Sequence, residues 1–190
     1  MHALFFEMRP KPGHLDHYFN HVAKLRPALA RHEGLVFLDR YGSLTDPDHL
    51  LSHQLWESEE AIVAWRKDAE HRKSQAAGNE VHFADYRIRV GERILHRHQS
   101  ASEAITLTEP SPNEICVFAL YGTKPMLKPM FSAFRSFNHE DRYISLASFD
   151  SLADFDTSVM NSGDLSGIDE IAAFSIRRDY GQFDRTQAPR

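Results

Sequence analysis

The stretch "HALFFEM" (2–8) is apolar and aromatic and is ended by "RPKPG", which predicts a strand followed by a turn. In "GHLDHYFNHVAKLRPALARHEG" (13–34), Leu15, Tyr18, Phe19, Val22, Leu25 and Leu29 recur at helical spacing, and Gly34 supplies a stop. Pro27 lies inside that segment, where it kinks a helix or marks a change of direction. "LVFLDRYGS" (35–43) and "HLLSHQLWE" (49–57) read as strands joined through "LTDPD". Ser58 is a good N-cap, Glu59 and Glu60 suit the positive end of a helix, and the helix is expected to run to about Gly78. "VHFADYRIRV" (81–90) alternates but changes phase near its middle, which predicts a bulged strand. The resulting order, β-α-β-β-α-β, is that of a ferredoxin-like unit. Its sheet carries helices on one face, so the other face needs a partner.

Residues 91–113 turn polar and read as a linker, taken as 93–113. Beyond it the first pattern returns in weaker form. "LFFEMRPKP" aligns with "VFALYGTKP" at an offset of 113, "WES" (56–58) with "FDS" (149–151) at 93, and "YRIR" (86–89) with "FSIR" (174–177) at 88. Three matches in the same order indicate a degenerate internal repeat. The second half is shortened. A short helix is expected near 128–137, from Met130, Phe134 and Phe137, followed by a strand at 142–149. The alternative is a hairpin turning at "NHED" (138–141). A short helix at 151–160 and a last strand within 168–180 complete this half, and 181–190 reads as a disordered tail. The expectation is therefore an α+β chain of two ferredoxin-like β-α-β-β-α-β units, 1–92 and 114–180, packed sheet against sheet as a pseudo-dimeric α+β barrel. It is either monomeric or a homodimer.

Composition narrows the function classes. The 190 residues carry 22 basic and 27 acidic side chains, a net charge of −5, with no extended Lys/Arg cluster, which argues against nucleic acid. No apolar run reaches the length of a membrane span, and the N-terminus lacks the basic start of a signal peptide, so a cytoplasmic, membrane-free protein is expected. The single cysteine, Cys116, excludes an internal disulfide and reads as an inert core thiol. There is no G-x-G-x-x-G and no P-loop, so no cofactor motif is present.

The chain's two tryptophans, Trp56 and Trp65, bracket the second helix start, and His71 follows. Ile62, Trp65, Ala69 and Ala76 form one helical stripe, so Trp65 serves either a core or a pocket. On an unbroken helix, six residues turn about 600°, which sets His71 about 120° from Trp65. "KDAE" (67–70) shows no obvious breaker, so a solvent-facing His71 competes with a catalytic one. Tyr86 and Arg87 must face opposite sides of their strand. His14, His17 and His21 share a helix face, but no third ligand with diagnostic spacing joins His17 and His21, so no metal site is assigned.

The pattern "LWESEEAIVAWRKDAEHRKSQAAG" (55–78) with "FADYRIRV" (83–90) resembles the antibiotic biosynthesis monooxygenase superfamily, of dimeric α+β barrel fold. The resemblance covers roughly residues 1–92 well and 114–180 only as a degraded copy. It implies a pocket between helices and sheet in which an aromatic or quinol-type compound is deprotonated and reacts with O₂ without metal, flavin or other cofactor. By position, Trp65 would orient the substrate and His71, where the best-known oxygenases carry Tyr, would handle the proton. Arg87, with Arg89 close behind, would steady the anion. The family's helper Asn has no counterpart, since Ala61 and Ile62 occupy that turn. The haem-degrading branch carries an Asn where Met8 stands and a His where Gln75 stands, so that triad is broken. A non-catalytic ligand-binding or stress-response barrel is the alternative from a different class. It predicts a purely apolar pocket with His71 in solvent.

Overall fold

The computed structural model describes residues 1–98, 105–108, 114–155, 159 and 164–189. The first half runs β1 (His2–Pro10), α1 (Leu15–Leu29), β2 (Leu35–Ser43), β3 (Leu50–Trp56), α2 (Glu59–Lys67), α3 (Ala69–Ala77), a π-type turn (Gly78–His82) and β4 (Phe83–His98). A two-residue strand β5 (Ile105–Thr106) pairs onto the far end of β4. The second half runs β6 (Cys116–Gly122), β7 (Ser132–Ser136), β8 (Tyr143–Phe149), α4 (Leu152–Phe155) and β9 (Ile168–Gly181).

The strands pair in the order β1-β3-β2-β7-β8-β6-β9-β4, and β4 pairs back onto β1, so eight antiparallel strands close into a barrel. The order within the first half, β4-β1-β3-β2, recurs in the second as β9-β6-β8-β7. The halves meet at two seams. One is β4 on β9, from Arg87 opposite Gly181 to His98 opposite Glu170. The other is β2 on β7, limited to Tyr41–Ser43 against Phe134–Ser136. A register irregularity does fall within 81–90, where a phase change is read: the β1–β4 register slips between Arg9 and Pro10, opposite Asp85 and Phe83.

Strand parity sorts the side chains into layers. Ala3, Phe5, Leu51, Val117, Phe134, Ile144 and Phe174 fill the barrel interior. The opposite face of the first half packs under α1 and α2, where Val90, Trp56, Ile62 and Trp65 form one cluster and Met8, Tyr18, Leu50 and Phe83 another. Gly34 adopts φ +84°, and a Cβ there would lie 2.9 Å from Ala61 Cβ, so the turn into β2 runs close beneath α2. Helix α1 ends two residues after Pro27.

Three expectations are corrected. Residues 132–136 form a strand rather than part of a helix at 128–137. Phe134 is fully buried in the barrel interior, and β7 gives hydrogen-bonding partners to the edges of β2 and β8, so the sheet overrides the helical spacing of Met130, Phe134 and Phe137. The hairpin turning at 138–141 is the alternative that holds. The tail is ordered through Pro189: Gln182 N–H donates to the Tyr86 carbonyl at 3.0 Å and Arg66 Nη2 donates to the Pro189 carbonyl at 2.9 Å. The expected linker also gives way early, because β4 continues to His98. The rest of that linker, apart from 105–108, and most of the expected helix at 151–160 lie outside the described residues. Among the described residues, no helix is long and apolar enough to cross a membrane.

Candidate functional site

A cavity of about 570 Å³ lies between the helices and the outer face of the first half's sheet. Leu4 and Phe6 of β1 and Tyr86, Ile88 and Val90 of β4 form its floor, one parity of two neighbouring strands. Tyr18, Val22 and Leu25 of α1 and Ile62, Trp65 and His71 of the second helical segment form its walls. Arg178 and Tyr180 of β9, with Arg185 and Pro189 of the tail, reach it from the second half.

The helix expected to run unbroken from Ser58 to Gly78 is broken at Asp68. Ser58 caps α2 by accepting from Ala61 N–H at 3.2 Å. Asp68 then takes φ −56°, ψ 135°, outside the helical region, and its Oδ1 accepts from the backbone N–H groups of Glu70 (2.9 Å) and His71 (3.0 Å). One residue thereby ends α2 and caps α3. The break removes the 120° offset. The His71 ring stacks on the Trp65 indole at 4.1 Å between centroids, with 12° between planes. His71 Nδ1 lies 3.0 Å from the Trp65 carbonyl oxygen, which only accepts, so Nδ1 carries the proton and Nε2 is left with its lone pair. Burial pushes the His71 pKa below its ordinary value, and the nearby Arg66 charge acts in the same direction. The Trp65 carbonyl and Asp68 oppose that shift without overcoming it. His71 is therefore neutral at neutral pH, with a proton-accepting nitrogen.

Trp65 is only 3% exposed. Its other neighbour is His32, edge-on at 5.0 Å, whose Nε2 donates to Asp68 Oδ2 at 3.2 Å. Asp68 and His32 were not singled out by sequence. The signal for Asp68 was present, since Asp with Glu two positions on is a helix-start pattern, but it is hidden inside a segment whose flanks are both helical.

Of the three residues assigned by resemblance, the structure brings Trp65 and His71 together at the cavity and leaves Arg87 apart. Arg87 and Arg89 share the parity of the barrel interior, opposite Tyr86 and Ile88. Arg87 forks onto Asp179, Nε to Oδ1 at 2.8 Å and Nη2 to Oδ2 at 2.5 Å, with half its side chain in solvent. Arg89 is buried, donating to Glu7 Oε1 at 2.6 Å and to Ser148 Oγ at 3.2 Å. The guanidinium groups that do line the cavity belong to Arg66, Arg72, Arg178 and Arg185. Met8 is buried among apolar side chains, and Gln75 Nε2 lies 3.3 Å from His71 Nδ1.

His14, His17 and His21 are joined by His82 from the turn before β4. His14 Nδ1 and His82 Nδ1 are 3.0 Å apart, and the His17 and His21 rings lie 5.3 and 5.2 Å from that of His82. Among the described residues, no group of three or more His, Cys, Asp or Glu is arranged to hold a metal ion.

Residues 1–77, which supply α1, Trp65 and His71, match the family model described as antibiotic biosynthesis monooxygenase. A jasmonate monooxygenase from Pyricularia oryzae is 39% identical over 92 residues, which are 48% of this chain and 43% of that protein. The chain thus spans less than half the length of that relative. Among solved structures, an antibiotic biosynthesis monooxygenase aligns over 48% of this chain and 97% of its own, with 15% identity and a TM-score of 0.44. An anthrone oxidase-like protein aligns over 100% of this chain and 96% of its own, with 13% identity and a TM-score of 0.44.

Proposed function

We propose that the chain is a cofactor-independent monooxygenase that oxidises a small aromatic or quinol-type compound with O₂ in the cavity between helices and sheet. The family match and the monooxygenase-named relative support the reaction class. The observation that carries the reading is the stacked Trp65–His71 pair on the cavity wall, with His71 Nε2 unprotonated. A ring CH₂ or a quinol hydroxyl gives its proton to Nε2, and the resulting anion delivers its electrons to O₂ with no metal or flavin between them. For a ring CH₂ the balance closes on substrate and O₂ alone. One oxygen atom becomes the ring carbonyl, and the other leaves as water with both hydrogens. Trp65 offers a flat face for an aromatic ring, and the apolar floor keeps water from the anion. The anion-steadying role suggested for Arg87 passes in this reading to the cavity arginines.

The same reading treats the fold as two ferredoxin-like units in tandem, 1–92 holding the site and 114–180 walling it, a pseudo-dimer within one chain. The repeated strand order and the one-sided placement of Trp65 and His71 support it. A non-catalytic binding barrel is the less favoured reading, because it anticipates His71 in solvent and a cavity without charge.

Oxygen uptake with a panel of naphthols, anthrones and quinols tests the proposal on metal-free protein. His71→Ala is expected to lower kcat about 10²- to 10⁴-fold, the usual range for losing a general base. Trp65→Phe is expected to weaken turnover with less effect on the pH profile. Because the His71 pKa is lowered, kcat should rise through a point below the ordinary imidazole value of 6.5 and stay flat above it. Uptake no faster than buffer on every compound would count against catalysis.

A further inference from the structure

The charge of the cavity is opposite to that of the chain. The protein carries a net charge of −5, yet the cavity is lined by Arg66, Arg72, Arg178 and Arg185 and by no Asp or Glu among the described residues. Arg178 is committed to Glu59. Arg66 and Arg185 pair with no carboxylate among the described residues. Arg66 spends Nη2 on the Pro189 carbonyl at 2.9 Å, while its Nη1 is shielded from solvent with no hydrogen-bond partner. Arg185 gives Nη1 to the Tyr86 hydroxyl at 2.6 Å and lies over the Tyr180 ring at 5.7 Å.

These two cations come from different halves of the chain, Arg66 from α2 and Arg185 from the segment after β9, and both act on Tyr180. Ala188 N–H donates to the Arg185 carbonyl at 3.0 Å, so the tail turns once between Arg185 and the Pro189 carbonyl that holds Arg66. Arg66, Arg178 and Arg185 all act on the Tyr180 phenol, lowering a pKa that burial raises further. A guanidinium N–H withdrawn from water without an acceptor is costly, and an anionic oxygen is the acceptor that best relieves it. Apart from His21, Gln54, His71, Ser74 and Gln75, the remaining walls are aliphatic and aromatic. They suit a ligand with one compact charge on an apolar body rather than a phosphate or sugar. The planar fork of a guanidinium matches the two oxygens of a carboxylate.

We infer that the cavity binds a small apolar carboxylic acid, with its carboxylate held by Arg66 and Arg185 and its apolar body laid along Leu4, Phe6, Ile88 and Val90 toward Trp65 and His71. The inference rests on reading this cavity as the substrate site and adds the substrate's charge. The anchor is shared between halves, with Arg66 from α2 and Arg185 from the segment after β9. A chain cut after residue 92 would lack half of it.

Calorimetric titration of the full chain at pH 7.5 with 4-phenylbutyrate and with the neutral 4-phenylbutan-1-ol tests this. The acid is expected to bind about ten- to a hundredfold more tightly than the alcohol, the range for charge-assisted hydrogen bonds. In Arg66→Gln/Arg185→Gln that ratio should fall to near one, and Arg66→Lys should keep part of it. Thermal melting checks that each variant is folded. If Arg66→Gln/Arg185→Gln does not fold, the single variant Arg185→Gln carries the test with the same direction. Equal affinities for acid and alcohol, no binding of either, or a preference that survives in the double variant would overturn the anchor. The readout is binding heat. Acid selectivity without oxygen uptake on any compound would keep the anchor and remove the oxygenase, while uptake without acid selectivity would do the reverse.

Discussion

At Asp68 the backbone leaves the helix, two N–H groups of the next turn are capped, and His32 is held edge-on to Trp65. The position of His71 depends on that single carboxylate. Asp68 also raises the His71 pKa, although burial keeps the net shift downward. Asp68→Asn should retain much of the cap and shift the acid limb of the pH–rate profile to lower pH at a near-unchanged plateau. Asp68→Ala should lower the plateau as well, because His71 loses its stacking position. Steady-state oxygen uptake from pH 4.5 to 8 separates the two effects, and a pH limb that does not move in either variant would count against Asp68 acting through His71. The family resemblance singles out Trp65 and His71, whereas residue type and spacing alone leave a core Trp65 and a solvent-facing His71 open. Neither shows that the pair stacks, because that turns on one ψ angle. Arg87 lies off the cavity for a simpler reason: strand parity placed it opposite Tyr86, and the cavity lies on the Tyr86 side.

At the scale of elements, the first half was legible because each segment carries its own punctuation. Ser58 before Glu59 and Glu60 marks the start of α2, and Gly34 at positive φ marks the turn into β2. Ser58→Ala should destabilise the protein by about 1 kcal/mol, as N-cap losses do, read as a lower midpoint in urea. Segments whose conformation is decided by distant partners were misread. Residues 132–136 have helical apolar spacing but become the strand that joins β2 to β8. The tail has few apolar residues to announce order, and it is held by polar contacts to Tyr86 and Arg66. Contacts of that kind leave no periodic trace in sequence.

At the scale of the molecule, the barrel interior is not purely apolar, and its polar members set the response to acid. His53 is fully buried, stacked on Phe5 at 4.6 Å, with Nδ1 donating toward the Leu4 carbonyl at 3.4 Å and Nε2 accepting from the Tyr121 hydroxyl at 2.8 Å. Burial pushes its pKa down to about 3 from 6.5. The unfolded chain therefore takes up this proton first. Stability is fully present above 6.5 and is lost as pH falls from 6.5 toward 3, at no more than about 1.4 kcal/mol per pH unit. Glu7 adds a second window. Burial alone would raise its pKa, but the His49 hydrogen bond and the Arg89 charge bring it from 4.5 to about 2, so its contribution is lost as pH falls through that range. Urea midpoints measured from pH 7 to 4 should decline for the wild type, and His53→Gln should flatten the decline between pH 6.5 and 4.5. An unchanged slope in that variant would assign the acid limb to other groups.

The two seams that close the barrel are unequal, and that sets the order in which the molecule breathes. The β4–β9 seam runs from Arg87 to His98, whereas the β2–β7 seam holds only Tyr41, Gly42 and Ser43. The short seam is the natural slit of the cylinder. Amides of β7 and the end of β2 should exchange with deuterium well before those of β4 and β9. A fluctuation that opens the slit would bare Phe134 to water while the floor of the cavity, carried on β1 and β4, stays intact. Solvent reaching the barrel interior need not disturb the site on its outer face.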